Sequence, residues 1–205
     1  MKDIILLGKK VNYEKSEVLF KYSPNEDYLK YFTPKSGEWY YEDGYLVGVE
    51  RGNMGGILFT NEYFKDDVML TFTVKAELPA TRDLNAVWCA KWDETTDYLG
   101  DSYVCGLNGW FDGKSGIERN NSKLYSTTTL YQYKHGTEVR LTCGSINGHT
   151  FMVVDDVLVT ELIDENPLTE GHVGFSAYCT ILKIKDIEVR KIDWEKIEQS
   201  YTPEF

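Results

Sequence analysis

Three groups of residues in this chain have types and spacing suited to chemistry. The first is aromatic. Trp88 and Trp92 stand in AVWCAKW (86–92), and Asn108 and Trp110 in SYVCGLNGW (102–110). If Tyr103, Cys105 and Leu107 face a core, period-two alternation turns Val104, Asn108 and Trp110 the other way. With Val87 and Cys89 inside, Trp88 and Trp92 lie outside as well. Indoles beside an amide suit a sugar ring, whose C–H face stacks on an aromatic while its hydroxyls need fixed partners. A register slip of one residue reverses every assignment and makes the tryptophans core. The second group is Glu118-Arg119, which follows Gly113 and Gly116. A carboxylate beside a guanidinium can act as a base with a charged orienter, or clamp a hydroxyl. The plainer alternative is a surface ion pair worth about 0–1 kcal/mol. The third is His149, directly after the Asn147-Gly148 turn. It is either an acid or base working near neutral pH or a solvated turn residue. Tyr178 alternates opposite Val173, Phe175, Ala177 and Cys179, which places it on a ligand face or leaves it simply exposed.

Metal chemistry has little support. The three histidines are scattered, and His135 and His172 beside glycines read as turn residues. Cys89, Cys105, Cys143 and Cys179 lie 16, 38 and 36 residues apart, with no CxxC pair. Each sits in an apolar run, so four buried free thiols in a reducing compartment are expected. No cofactor is required. Asp66-Asp67 and Asp155-Asp156 leave room for a structural calcium.

The elements that must position these groups read as strands. Val68 to Ala76, Val139 to Cys143 and Val173 to Cys179 alternate apolar and polar residues. Asp43-Gly44, Asn147-Gly148 and Asp155-Asp156 separate strand pairs as hairpin turns. Ser23-Pro24-Asn25-Glu26 is a capping box with proline at the first helical position, which predicts a short helix ending before Pro34. The tail from Asp193 predicts another helical turn or two. About ten short strands with no repeat predict an all-β sandwich or barrel. The domain expectation is an N-terminal strand and helical excursion (1–37), a β-sandwich (38–192) and a tail (193–205).

Composition excludes several partner classes. Apolar residues at 42% are enough to build a core, which rules out wholesale disorder. A net charge of −11 repels phosphate backbones and anionic lipid, so neither nucleic acid nor a membrane is expected as a partner. No apolar run approaches the roughly 18 residues of a membrane-spanning helix, and Ile4 to Leu7 is too short for a signal peptide. A cytoplasmic location is the expectation.

The motif order from GWFDGKSGIERNNS through SINGHTFMVVDDVLVTELID to GHVGFSAYCTILKIKDIEVRKI resembles the concanavalin A-like lectin/glucanase jelly rolls. Within them it is most similar to a bacterial group related to the 3-keto-disaccharide hydrolases. The resemblance rests on the Gly148–Asp156 hairpin, Gly171–Phe175 and Ile184–Val189, and spans about residues 38–192. It implies a concanavalin A-like β-sandwich (jelly roll), to which the capping box adds a short N-terminal helix, holding a small glycoside or oligosaccharide on its concave sheet. It also implies glycosidic cleavage, with Glu118 or His149 removing the C2 proton of a 3-oxidised sugar and Arg119 or Lys91 stabilising the enolate. Two departures bear on this. Residues 85–91 lack the N-S-G-x-x-x-R of those hydrolases, and no E-x-D-x-E signature occurs. The competing readings are a non-catalytic carbohydrate-binding module or lectin, and an interaction subunit. Oligomerisation stays open.

Overall fold

The computed structural model describes residues 2–52, 55–110 and 113–198. The chain opens with β1 (Ile4–Leu6), β2 (Lys9–Val11), β3 (Glu17–Tyr22) and β4 (Phe32–Pro34). Then come β5 (Glu38–Glu42), β6 (Tyr45–Glu50), β7 (Gly56–Phe64), β8 (Val68–Ala76) and β9 (Leu84–Ala90). A small hairpin of β10 (Trp92–Asp93) and β11 (Tyr98–Leu99) precedes β12 (Tyr103–Trp110), β13 (Lys114–Arg119) and β14 (Tyr125–Thr128). The last are β15 (Val139–Ile146), β16 (His149–Val154), β17 (Val157–Ile163), β18 (Gly171–Ala177), β19 (Thr180–Lys191) and β20 (Trp194–Lys196).

Two antiparallel sheets form the sandwich. One has seven strands in the order β14-β13-β12-β9-β18-β7-β4. The other runs β17-β16-β15-β8-β19-β6-β5, with β3 paired to β19 as its eighth strand. The non-sequential order follows from long connections that carry the chain between sheets, as in jelly rolls. The tight hairpins obey their sequence signals. Asp43-Gly44, Asn147-Gly148 and Asp155-Asp156 all have positive φ at both residues, the geometry whose twist matches paired strands.

Between the sheets lie Phe72, Trp88, Tyr103, Cys105, Leu141, Cys143 and Phe175, all at or near complete burial. Each sheet is also covered on part of its outer face. The three-stranded sheet β1-β2-β20 lies over the eight-stranded one, enclosing Ile4, Leu6, Val11, Met69, Ile146, Phe151 and Val153. The β10–β11 hairpin covers part of the seven-stranded sheet, where Ile57, Phe59, Val87, Leu99 and Val104 form a second apolar cluster.

Three expectations change. The capping box does not start an α-helix: Asn25 turns its side chain to the Asp27 N–H and the Ser23 carbonyl, and only a 3₁₀ turn at Tyr28–Lys30 follows. Local side-chain hydrogen bonds of this kind compete with helix formation. The N-terminal segment is woven into the sandwich, since β3 joins one sheet and β4 the other. Asp193 leads into strand β20 rather than a helical turn, because β2 offers it an open edge; residues 199–205 of that tail lie outside the described residues. None of the four cysteines is in a disulfide; Cys179 is half-buried and the others are buried.

Candidate functional site

The seven-stranded sheet carries a hollow of about 260 Å³ on its outer face. Its floor is set by register. Asn85 on β9 lies opposite Gly106 on β12 and Ser176 on β18. Gly106 in turn faces Gly116 on β13. Two adjacent glycines remove the side chains that would fill the centre of the sheet. The space at Gly106 is taken by Asn85, whose Oδ1 would lie 1.9 Å from a Cβ there. A Cβ on Gly109 would lie 2.5 Å from Asp83 Oδ1 and 3.5 Å from Asn85 Oδ1.

The walls are aromatic and the rim is polar. Trp110, Tyr98 and Tyr178 line the hollow together with Asp83, Glu118 and Asn120. Trp110 Nε1 donates to Glu118 Oε2 at 2.7 Å, which locks the indole against the carboxylate. Asn120 Nδ2 donates to the carbonyls of Leu99 and Gly100, both at 2.8 Å, fixing the β10–β11 hairpin as one wall. Asp83, with φ +60, is 5% exposed, and Arg82 Nε stands 3.1 Å from its Oδ2. Burial pushes the Asp83 carboxyl up to about 6, against the opposing pull of Arg82 and of the Asn85 amide. Asn85 is 6% exposed, and its Oδ1 is a buried acceptor with no hydrogen-bond partner among the described residues. A second hollow, of about 370 Å³, shares Gly109 and Trp110 with the first and is bordered by Arg82, Asn108 and His135. Trp110 therefore divides two neighbouring depressions.

Of the residues singled out from sequence, Trp110, Glu118 and Tyr178 meet in the hollow. The others go elsewhere. Trp88 is sealed between the sheets, 1% exposed, with Nε1 donating to Ser145 Oγ at 3.2 Å. The expected alternation of β9 is reversed because Trp88 pairs across from Tyr103, an inward residue, so Val87 takes the outer face. Both faces of β9 are apolar because the β10–β11 hairpin covers the outer one, so hydrophobicity cannot set the register there. Trp92 does lie outside, but it packs on that covered cluster with Lys35 Nζ 5.7 Å from its ring. Lys91 is exposed, 3.8 Å from Glu170, away from the hollow.

Asn108 has φ +57 and serves the fold, since its side chain accepts from the Tyr133 N–H and donates to the Tyr133 carbonyl. Arg119 is held by Asp164 Oδ2 at 2.9 Å and the Asn166 carbonyl at 2.6 Å. The same Asp164 oxygen accepts the Tyr103 hydroxyl at 2.8 Å. His149 sits on the other sheet beneath the three-stranded layer, 2% exposed. Lys9 Nζ donates to its Nδ1 at 2.9 Å, and its Nε2 lies 3.1 Å from Glu161 Oε1. Glu118 and His149 thus stand on opposite outer faces of the sandwich. The acidic turns are engaged as well: Asp66 pairs with Lys191, Asp67 accepts from the Asn147 N–H and Asp155 from the Arg140 N–H. Among the described residues, no cluster of three or more His, Cys, Asp or Glu is arranged to hold a metal ion.

Sequence reasoning missed Asp83, Asn85, Tyr98 and Ser176. The available signal was two polar residues at a strand spacing, Asp83 and Asn85, opening an otherwise apolar strand.

No family model and no curated protein matches the chain. Solved structures do share its fold. A Bacillus subtilis protein of unknown function with a galectin-like fold is 13% identical with a TM-score of 0.68, covering 87% of this chain and 98% of its own. The carbohydrate-binding module CBM66 from Bacillus subtilis is 12% identical with a TM-score of 0.60, covering 78% and 94%. Crh5 transglycosylase, solved in complex with NAG, is 10% identical with a TM-score of 0.58, covering 86% of each chain. This chain is a two-sheet β-sandwich of the galectin and concanavalin A-like type.

Proposed function

We propose that this protein binds a saccharide in the hollow walled by Trp110, Tyr98 and Tyr178. The observation that carries the reading is the convergence of three aromatic rings with Asp83, Asn85, Glu118 and Ser176 in one hollow on the sheet's outer face. Trp110, already fixed by Glu118, supplies a flat apolar face for a pyranose ring, and the polar groups take its hydroxyls. Asn85 Oδ1 gains the donor it lacks. A buried acceptor without a partner costs about 1–3 kcal/mol, so a ligand hydroxyl reaching it adds to affinity and selectivity. Sandwiches of the same fold that include a carbohydrate-binding module and a transglycosylase agree with the reading.

The test is calorimetric titration of the purified chain with a panel of neutral and charged oligosaccharides. Binding by the native chain, lost in Trp110→Ala and kept in His149→Gln, is expected. Absence of binding across the panel, or equal binding by Trp110→Ala, would refute it.

A second reading is glycosidic cleavage. It is favoured by one observation: two carboxylates, Asp83 and Glu118, share the hollow, and Asp83 is the one whose proton burial retains. Asp83 then protonates the leaving oxygen and Glu118 acts as base or nucleophile. For a 3-oxidised glycoside Glu118 is the base, since His149 is on the other sheet. Release of reducing sugar or aglycone, abolished by Asp83→Asn and Glu118→Gln alike, is the expected sign; binding without turnover would leave the protein a lectin-like binder.

A further inference from the structure

Resting on the saccharide reading, the hollow also says something about the charge of its ligand. Beside the hydroxyls of Tyr98, Tyr178 and Ser176, which can donate or accept, the hollow gathers side-chain oxygens of Asp83, Asn85 and Glu118 and no cationic donor among the described residues. Asp83 brings two carboxylate oxygens, of which Oδ2 faces Arg82 and Oδ1 lies 3.5 Å from Asn85 Nδ2. Asn85 Oδ1 is buried and unpartnered among the described residues, and it extends from β9 over Gly106 toward β12. Glu118 has one hydrogen bond among the described residues, from the neutral indole of Trp110, and no described cation stands against it. Among the described residues no lysine, arginine or histidine lines the hollow, and Arg82 reaches Asp83 from the neighbouring depression. The asparagine is therefore a buried acceptor awaiting a donor, and the glutamate beyond Gly106 is a negative charge without a counter-ion among those residues.

We infer that the hollow selects a sugar bearing a free amine, a hexosamine unit, whose ammonium group lies on the side of the hollow lined by Asn85 and Glu118 with Trp110 beside it. An ammonium offers three N–H donors and no lone pair, which matches these side-chain oxygens. A hydroxyl brings lone pairs along with its one donor. An N-acetyl group replaces the charge with a carbonyl acceptor that would face Glu118 and Asn85 Oδ1. A sugar carboxylate or sulfate would be repelled by Glu118. Charge-assisted hydrogen bonds are roughly twice as strong as neutral ones, and a cation over an indole face adds to them.

The experiment is titration of the full chain at low salt with glucosamine, galactosamine and mannosamine. Each is compared with its neutral parent and its N-acetyl form, and chitosan tetramer with chitin tetramer. At least one amine is expected to bind ten-fold or more tightly than both of its counterparts, and the advantage should shrink as salt is raised. Glu118→Gln is expected to bring amine and neutral parent within a few-fold of each other, read as the ratio of their affinities for that same variant. Melting temperature confirms that this variant is folded, and Asn85→Asp provides a second arm, with the amine preference kept or strengthened. Neutral sugars binding as well as amines, or a preference unmoved by Glu118→Gln, would overturn the inference while leaving the saccharide reading intact. Failure of every sugar to bind would overturn both.

Discussion

Asp83 is the sharpest place to test the physical reasoning. Its carboxyl moves from 3.8 to about 6 on folding, and burial is the largest cause. The folded chain therefore holds this proton more tightly than the unfolded chain does. Well below pH 3.8 both states are protonated and Asp83 contributes no penalty. As pH rises from 4 to 6 the unfolded chain ionises first, so stability falls; above 6 the full penalty remains. At 1.36 kcal/mol per tenfold change the penalty comes to about 3 kcal/mol. Asp83→Asn removes the titration and keeps an oxygen for Arg82. The variant is expected to be more stable than the native chain by about 2–3 kcal/mol at pH 8, with the gap shrinking to about 0.5 kcal/mol at pH 4. For a chain of this size that is a rise in melting temperature of about 5–10 °C at pH 8. The assay is urea unfolding of both proteins at half-unit steps from pH 4 to 8, reading the difference between them so that other titrating groups cancel. A difference that stays constant across the range would refute the burial argument, and so would a less stable variant at pH 8. A buried acid kept against this cost fits a binding role, since functional sites often reduce stability.

Three further outcomes follow from the packing. Trp88→Ala is expected to cost about 3–5 kcal/mol in chemical denaturation, since it empties a filled core position, whereas Trp110→Ala, at a half-buried ring packed on the outer apolar cluster, should cost clearly less in the same curves. Asp164→Ala should destabilise by about 3–5 kcal/mol, because it strands Arg119 and the Tyr103 hydroxyl, with the loss read from the same denaturation curves. In thiol labelling of the native chain Cys179 should react well before the other three; burial pushes the Cys89 thiol up to about 12 and raises that of Cys143 as well, so both stay protonated until the protein unfolds.

Much of the architecture is written in short-range chemistry. The hairpins at Asp43-Gly44, Asn147-Gly148 and Asp155-Asp156 form where the turn residues put them, because positive φ is a local preference. Tyr103, Cys105 and Leu107 face inward as their alternation with smaller and polar neighbours requires. The short helix failed for an equally local reason, as Asn25 closes a turn on its own neighbours before a helical hydrogen bond can form.

The site was only half legible. Trp110 and Tyr178 could be placed on an outer face by counting alternate residues along their strands, and Glu118 stood out by its residue type beside Arg119. Trp88 could not, because a strand that is apolar on both sides carries no sign of which side is core; the pairing with Tyr103 decides it. His149 offered the chemistry of an acid or base, yet the topology puts it on the opposite face beneath an N-terminal sheet made by distant residues. Asp83 and Asn85 gain their character from Gly106 and Gly109, positions on a neighbouring strand whose missing side chains leave room for them. Strands, turns and the acidity of the molecule were readable from the residues in order, since each depends on neighbours along the chain. Which residues share a surface, and which polar atoms are left without partners, came from the folded arrangement, because strand order and register across the sheet set both.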